Sequence, residues 1–210
     1  MREVNCPGCG APVTFLSAAS LLAVCPFCRA TLMRRDLDVE RIGTMAALVA
    51  DPSPIQLQAE GVYRHTHFAV VGRIQVRYDV GAWNEWYLVF DDGRAGWLGD
   101  AGGEYALTFE TPVSEPVPPW SALGPGTPVT LAGETWEVTD LEEAEIIGGE
   151  GELPFAVEAA GKTAAADLRG DGVRFATIDY GDDAPRVFVG ETVELRALAM
   201  RGLRETDGWR

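Results

Sequence analysis

Four cysteines constrain this chain more than anything else in it. They stand as Cys6-Pro-Gly-Cys9 and Cys25-Pro-Phe-Cys28, two C-x2-C pairs with fifteen residues between them. Two cysteines three apart on a tight turn aim both sulfurs at one ion, and two such turns complete a tetrahedral four-thiolate site. Pro7 and Pro26 stiffen the turns, while Gly8 and Gly10 free the backbone so that its N–H groups can approach the thiolates. The pattern predicts a zinc ribbon over residues 1–35, with Cys6, Cys9, Cys25 and Cys28 holding one structural Zn2+ per chain. The protein fills all four coordination positions, which leaves no place for a catalytic water. A segment this short, with few large apolar residues, must draw much of its stability from the metal. Arg29, Arg34 and Arg35 follow the second pair and are candidate counter-charges for the thiolates. A redox role is disfavoured because no thioredoxin-like βαβ pattern surrounds the pairs. Two disulfides would need an oxidising compartment.

The start, MREVNCPGCG, lacks the apolar core of an export signal, and the greasy stretch Phe15–Val24 is too short to span a bilayer. A cytoplasmic protein without membrane insertion is expected. The net charge of −15 is unevenly placed. Residues 1–50 carry five Arg against four acids, whereas between Arg94 and Lys162 there are thirteen acids and no Lys or Arg. Such a surface repels phosphate backbones, so nucleic acid is not an expected partner of the C-terminal part. A solvated acidic surface explains the charge, and a basic protein partner is the sharper alternative.

The remainder reads as strands. Phe68–Val71, Arg73–Tyr78 and Trp86–Phe90 are β-branched and aromatic runs, and Asp92-Gly93 is a hairpin signal between two of them. Asp51-Pro-Ser-Pro54 breaks the chain before them, and residues 111–128 hold six prolines. The expected organisation is a ribbon at 1–35, a connector at 36–60, a first β module at 61–110, a Pro-rich linker at 111–128 and a second β module at 129–210. The pattern leaves the form of residues 191–204 open, a strand running into a short helix being one reading. The order acid, apolar strand, glycine turn with a base, strand, glycine turn, strand occurs from Glu85 and again from Glu152. The expected fold is therefore mainly β, a four-cysteine zinc ribbon followed by a duplicated small antiparallel sheet or barrel module. Chance likeness between β-meanders is the alternative.

CPGCGAPVTF, VCPFCRATL, SPIQL, VVGRIQVRY, GAWNEWYLVFDDGRAGWL and FATIDY together resemble a bacterial family, the domain of unknown function numbered 4178. The resemblance runs from Cys6 to about Leu203 and is most specific from Gly72 to Leu98. It brings no catalytic residues. It implies an accessory role beside a membrane- or envelope-stress system.

Trp83, Asn84, Glu85, Trp86, Tyr87 and Trp97 gather aromatic and polar groups in one segment. Alternation along a strand puts Trp83, Glu85 and Tyr87 on one face and Trp86 on the other. The first face is mixed aromatic and acidic, which suits an interface, so Trp83, Glu85 and Tyr87 are candidate partner-binding residues and Trp86 is expected in the core. Core and cross-strand packing is the competing use of such aromatics. His65 and His67 are the only histidines, would share a strand face, and lack an evident third ligand. Asp91 and Asp92 suit a turn better than an acid/base pair. Arg73, Arg77 and Arg94 are expected in surface ion pairs. No catalytic triad order, phosphate loop or nucleophile elbow occurs. The leading expectation is a non-catalytic adaptor that binds protein partners, basic or membrane-associated. The alternative is an enzyme or enzyme subunit with a pocket between the two repeats. A closed pocket holding perturbed carboxylates would favour the enzyme, and a flat aromatic patch the adaptor.

Overall fold

The structure is a computed structural model that describes residues 2–35, 38–79, 81–155, 162–181 and 184–205. The first forty-odd residues form strands β1 (Arg2–Asn5), β2 (Pro12–Phe15), β3 (Leu22–Val24), β4 (Ala30–Arg35) and β5 (Asp38–Thr44). β1 pairs β2 around the first cysteine pair, and β3 pairs β4 around the second. Val13 and Phe15 alternate with exposed Pro12 and Thr14, so one side of β2 packs onto Ala23, Leu32 and the cysteines.

Ten further strands follow: β6 (Glu60–Tyr63), β7 (Thr66–Tyr78), β8 (Gly81–Phe90), β9 (Ala95–Ala101), β10 (Glu104–Glu110), β11 (Pro128–Leu131), β12 (Glu134–Leu153), β13 (Lys162–Arg169), β14 (Arg174–Asp179) and β15 (Arg186–Val193). Eight of them make a closed antiparallel circuit, β7-β8-β9-β10-β15-β14-β13-β12, in which β12 returns to pair β7. Closure leaves no open edge in that circuit. The expectation of a mainly β, antiparallel protein behind a four-cysteine segment is met.

β6 to β10 and β11 to β15 follow the same order, each a short strand pairing the start of a long one and then three more strands. The residue correspondence drawn from the sequence does not follow that order. It sets β9 beside β13 and β10 beside β14, whereas the place of β9 in the circuit is matched by β14. The two stretches expected as modules pair with each other at both junctions, β7 with β12 and β10 with β15.

The apolar residues of the barrel mostly face outward, under covering segments. Phe68, Val70, Trp86, Leu88, Leu98 and Leu107 lie beneath Ile55, Ala59 and a 3-10 turn, Leu195–Leu198, which follows β15. Trp136, Val138, Ala166, Leu168, Ala176 and Ile178 lie beneath the Pro-rich segment, where Val113, Val117, Trp120 and Leu123 pack against them. The Tyr180 hydroxyl donates to the main-chain oxygen of Pro118 at 2.8 Å. The stretch 111–128 is thus bound along the barrel wall.

The ribbon joins the barrel through β12. Its end, Gly151–Leu153, pairs β3, directly after the stretch Ile146–Gly151 that pairs β7. The two chains cross too closely for side chains. A Cβ at Gly72 would lie 1.7 Å from the main-chain oxygen of Glu152, and one at Gly151, where φ is +72°, 2.3 Å from that of Val71. The buried carboxylate of Glu152 accepts the amide N–H groups of Leu16 and Ser17 and clasps the ribbon to the barrel.

Candidate functional site

The four cysteines converge. Cys6 Sγ lies 3.7 Å from Cys28 Sγ, Cys9 Sγ 3.7 Å from Cys25 Sγ, and all four sulfurs are within 4.8 Å of one another. A tetrahedron with metal–sulfur bonds of about 2.3 Å has edges of about 3.8 Å, so the spacing fits one ion and is far too long for disulfides. The two turns are built alike. Gly10 N–H donates to Cys6 O and Arg29 N–H to Cys25 O, each at 2.8 Å. The residue after each second cysteine is left-handed, Gly10 at φ +77° and Arg29 at φ +58°. Gly8 N–H points at Cys6 Sγ, 3.4 Å away. Burial opposes ionisation of Cys6, but the Gly8 and Cys9 amides together with the Cys28 and Cys25 thiols outweigh it and bring the thiol down to about 7. At Cys9 the Ala11 amide is outweighed by Cys28, burial and the other two thiols, which push it up to about 12. Four thiolates cannot share this space without a cation, and the site could hold a metal ion. Arg34 donates instead to the main-chain oxygens of Ser17 and Ala18, and Arg35 pairs with Glu40.

The second site is the inside of the barrel. Many of the large apolar residues turn outward, and the inward positions combine small and polar residues with Ile74, Val76, Ile146 and several aromatic rings. They line a cavity of about 1200 Å3 that opens to solvent, where Gly102, Gly103, Val173 and Arg196 are exposed. This is larger than the roughly 300–1,000 Å3 usual for small-molecule sites. On one wall stand Trp83, Glu85, Trp97 and Gly99. On the other are Thr163, Ala165, Asp167, Thr177, Asp179 and Phe188. Cross-strand register confirms a single inner surface: Ile74 faces Glu85, Glu85 faces Gly99, Asp167 faces Thr177 and Asp179 faces Arg186.

Glu85 is partly buried and faces the cavity. Burial drives its carboxyl up to about 7, against the 2.8 Å hydrogen bond from Trp83 Nε1 and with help from the charges of Asp167, Asp100 and Asp179. Asp167 rises to about 6, again through burial, although it accepts the Thr177 hydroxyl at 2.8 Å. Asp179 accepts the Thr163 hydroxyl at 3.0 Å and sits 3.9 Å from the Arg186 guanidinium.

A family described as domain of unknown function (DUF4178) matches residues 56–195. The chain belongs to this family. No curated protein and no solved structure matches it. The DUF4178 region takes in all eight strands of the closed circuit and every inward residue named above, and it begins after the cysteine segment. The resemblance read from the sequence runs further, from Cys6.

Within the DUF4178 region the expected faces are present but point elsewhere than expected. Trp86 is fully buried. Trp83, Glu85 and Tyr87 share the opposite face, which is the inside of the barrel: Trp83 and Glu85 line the cavity, and Tyr87 is buried against Trp97 with ring centroids 5.0 Å apart. His65 does not share a strand face with His67. Arg64 and His65, both at positive φ, form the tight turn between β6 and β7. His67 lies between Glu60 and Asp91 on the outside. Among the described residues only the four cysteines bring three or more potential ligands together. Asp92 serves its turn, accepting Arg94 N–H at 3.0 Å.

Arg73 is a correction. It is no surface ion pair, being 4% exposed, and it stacks on Trp86 at 4.7 Å and bonds Asn84, Asp51 and Glu150. Arg77 and Arg94 do make exposed pairs, with Glu145 and Asp92. Nothing in the local sequence marks Asp167, Asp179, Glu152 and Asp51 as site residues. The alternation Thr163, Ala165, Asp167 against Ala166, Leu168 carried the signal for a small and polar inner face.

Proposed function

We propose that this protein is a non-catalytic binding protein whose barrel interior receives a ligand, with a structural Zn2+ in the cysteine ribbon. The cavity carries this reading: a barrel that leaves about 1200 Å3 between its walls has room for a molecule far larger than a water or an ion. The inner wall offers rings, carboxyls and hydroxyls for recognition. All four cysteines are in the ribbon and neither histidine lines the cavity, so the described wall offers carboxyls and hydroxyls but no thiol and no imidazole. Zn2+ is the ion that four converging thiolates suit best. A reduced, metal-held cluster suits the cytoplasm, and no described helix is long and apolar enough to cross a membrane. The ribbon, where Leu21 and Phe27 are exposed, is the proposed surface for a protein partner.

An enzyme is the second reading, favoured by the raised carboxyls of Glu85 and Asp167 in one cavity. The neutral dye N-phenyl-1-naphthylamine, which fluoresces in apolar cavities, tests the binding site common to both. Wild-type protein should enhance its emission, and Ala165→Trp, which fills the cavity, should abolish the effect while the circular dichroism spectrum is kept. Equal enhancement in both proteins would mean that the dye binds elsewhere and would remove the support for an interior site.

A further inference from the structure

The inner wall is short of positive charge. Glu85 has no cationic partner among the described residues, since its single hydrogen bond comes from the Trp83 indole. On β12 and β13, Asp140 stands directly opposite Asp167 in the register, like charge against like. Such a pair is destabilising by itself, although Arg169 lies near Asp167, and a partly buried carboxylate without a cationic partner, as at Glu85, is more so. These carboxylates do not converge on a point, because among the described residues only the cysteines place three ligand atoms within 4.8 Å. A single metal ion therefore does not satisfy them.

The wall also shows how it treats cations of its own. The Arg186 guanidinium lies over the rings of Phe155 and Phe188, 5.8 and 5.2 Å from their centroids. Arg169 lies 4.7 Å over Phe175. Cation over ring, with a carboxylate alongside, is a recognition mode for organic ammonium groups. Trp97 and Phe155, at 5.7 Å and 30° between planes, provide a flat apolar wall near Trp83. Gly99 keeps space open above Glu85: a Cβ there would lie 3.6 Å from both carboxylate oxygens.

We infer that the cavity takes a hydrophobic organic cation, an alkyl- or arylammonium compound whose charge lies between Glu85 and Asp167 and whose hydrocarbon lies along Trp83, Trp97 and Phe155. This rests on the reading of the barrel interior as a ligand site. The net charge of −15, carried by residues 51–210, steers such a ligand toward the barrel.

Three eight-carbon probes that differ only in head group test the sign of the charge: n-octylammonium, octan-1-ol and octanoate. Calorimetric titration of the full zinc-loaded chain in about 0.15 M salt suppresses unspecific attraction to the acidic surface. Octylammonium should bind about tenfold or more tighter than octanol, and octanoate should not bind. Glu85→Gln should bring octylammonium down to the level of octanol and leave octanol unchanged. Glu143→Gln, an exposed acid on β12, should change neither. Asp167→Asn serves in the same role if Glu85→Gln does not fold. Octanol or octanoate binding as tightly as octylammonium, or an octylammonium affinity indifferent to both cavity variants, would overturn the inference. The neutral naphthylamine probe separates the two levels. If it binds inside while octylammonium shows no preference, the interior site stands and the cation falls. If neither binds, both readings fall.

Discussion

Glu85 shows how much one inward position decides. As a carboxyl whose folded value, about 7, lies above its ordinary 4.5, it holds a proton in the folded state where the unfolded chain has already lost one. Asp167, about 6 against an ordinary 3.8, does the same. The folded state then binds more protons than the unfolded state across this window, so stability falls as pH rises from about 4.5 through 7. The expected result is a melting temperature that declines from about pH 5.5 to 8, and a flatter decline in Glu85→Gln. A profile that rises over this interval, or one unchanged by the substitution, would contradict the placement of Glu85. Arg73 is the opposite case, a buried charge that is fully engaged. It ties Asp51, Asn84 and Glu150 together, and Arg204 joins through Asp51. Arg73→Ala leaves Asp51 without its main counter-charge and should cost roughly 3–5 kcal/mol, read as a lower urea midpoint.

At the scale of the elements, β12 is decisive. Its twenty residues pair with β11 and β13 along one part, β7 along another and β3 at the end, so one strand closes the barrel and receives the ribbon. The crossing of β7 and β12 needs bare backbone at Gly72 and Gly151. Gly72→Ala drives a methyl group into the main chain of Glu152, which cannot yield as a flexible side chain would. A loss of roughly 2–4 kcal/mol is expected, with looser attachment of the ribbon seen as faster amide exchange at Leu16 and Ser17. The hairpin at Asp92-Gly93 and the alternation along β8 were legible beforehand because turns and pleats are local. The bulges in β7 and β12 and the long reach of β12 were not, since they answer to partners tens of residues away.

In the molecule as a whole, the ribbon and the barrel depend on different sources of stability. The ribbon core is small and built around the cysteines, whereas the barrel has two extensive apolar clusters outside its wall. Chelation under reducing conditions should therefore release one metal ion per chain and unfold the ribbon while most strand signal persists. Elemental analysis with circular dichroism checks this, and complete loss of structure on chelation would show that the barrel needs the metal too.

The sequence by itself determined the convergence of the four cysteines, the β class, the hairpin at Asp92-Gly93 and the two faces of β8, because spacing, turn chemistry and period-two alternation are properties of neighbouring residues. Only the tertiary structure decided which side of β8 is inside. Alternation separates Trp83, Glu85 and Tyr87 from Trp86 but carries no sign. The sign came from the straps, Pro-rich 111–128 and the segment around Ile55, which cover the apolar face from outside and so turn the mixed aromatic and acidic face inward. Barrel closure then enclosed that face. The same closure brought Glu85 into the field of Asp167 and Asp179, more than eighty residues on.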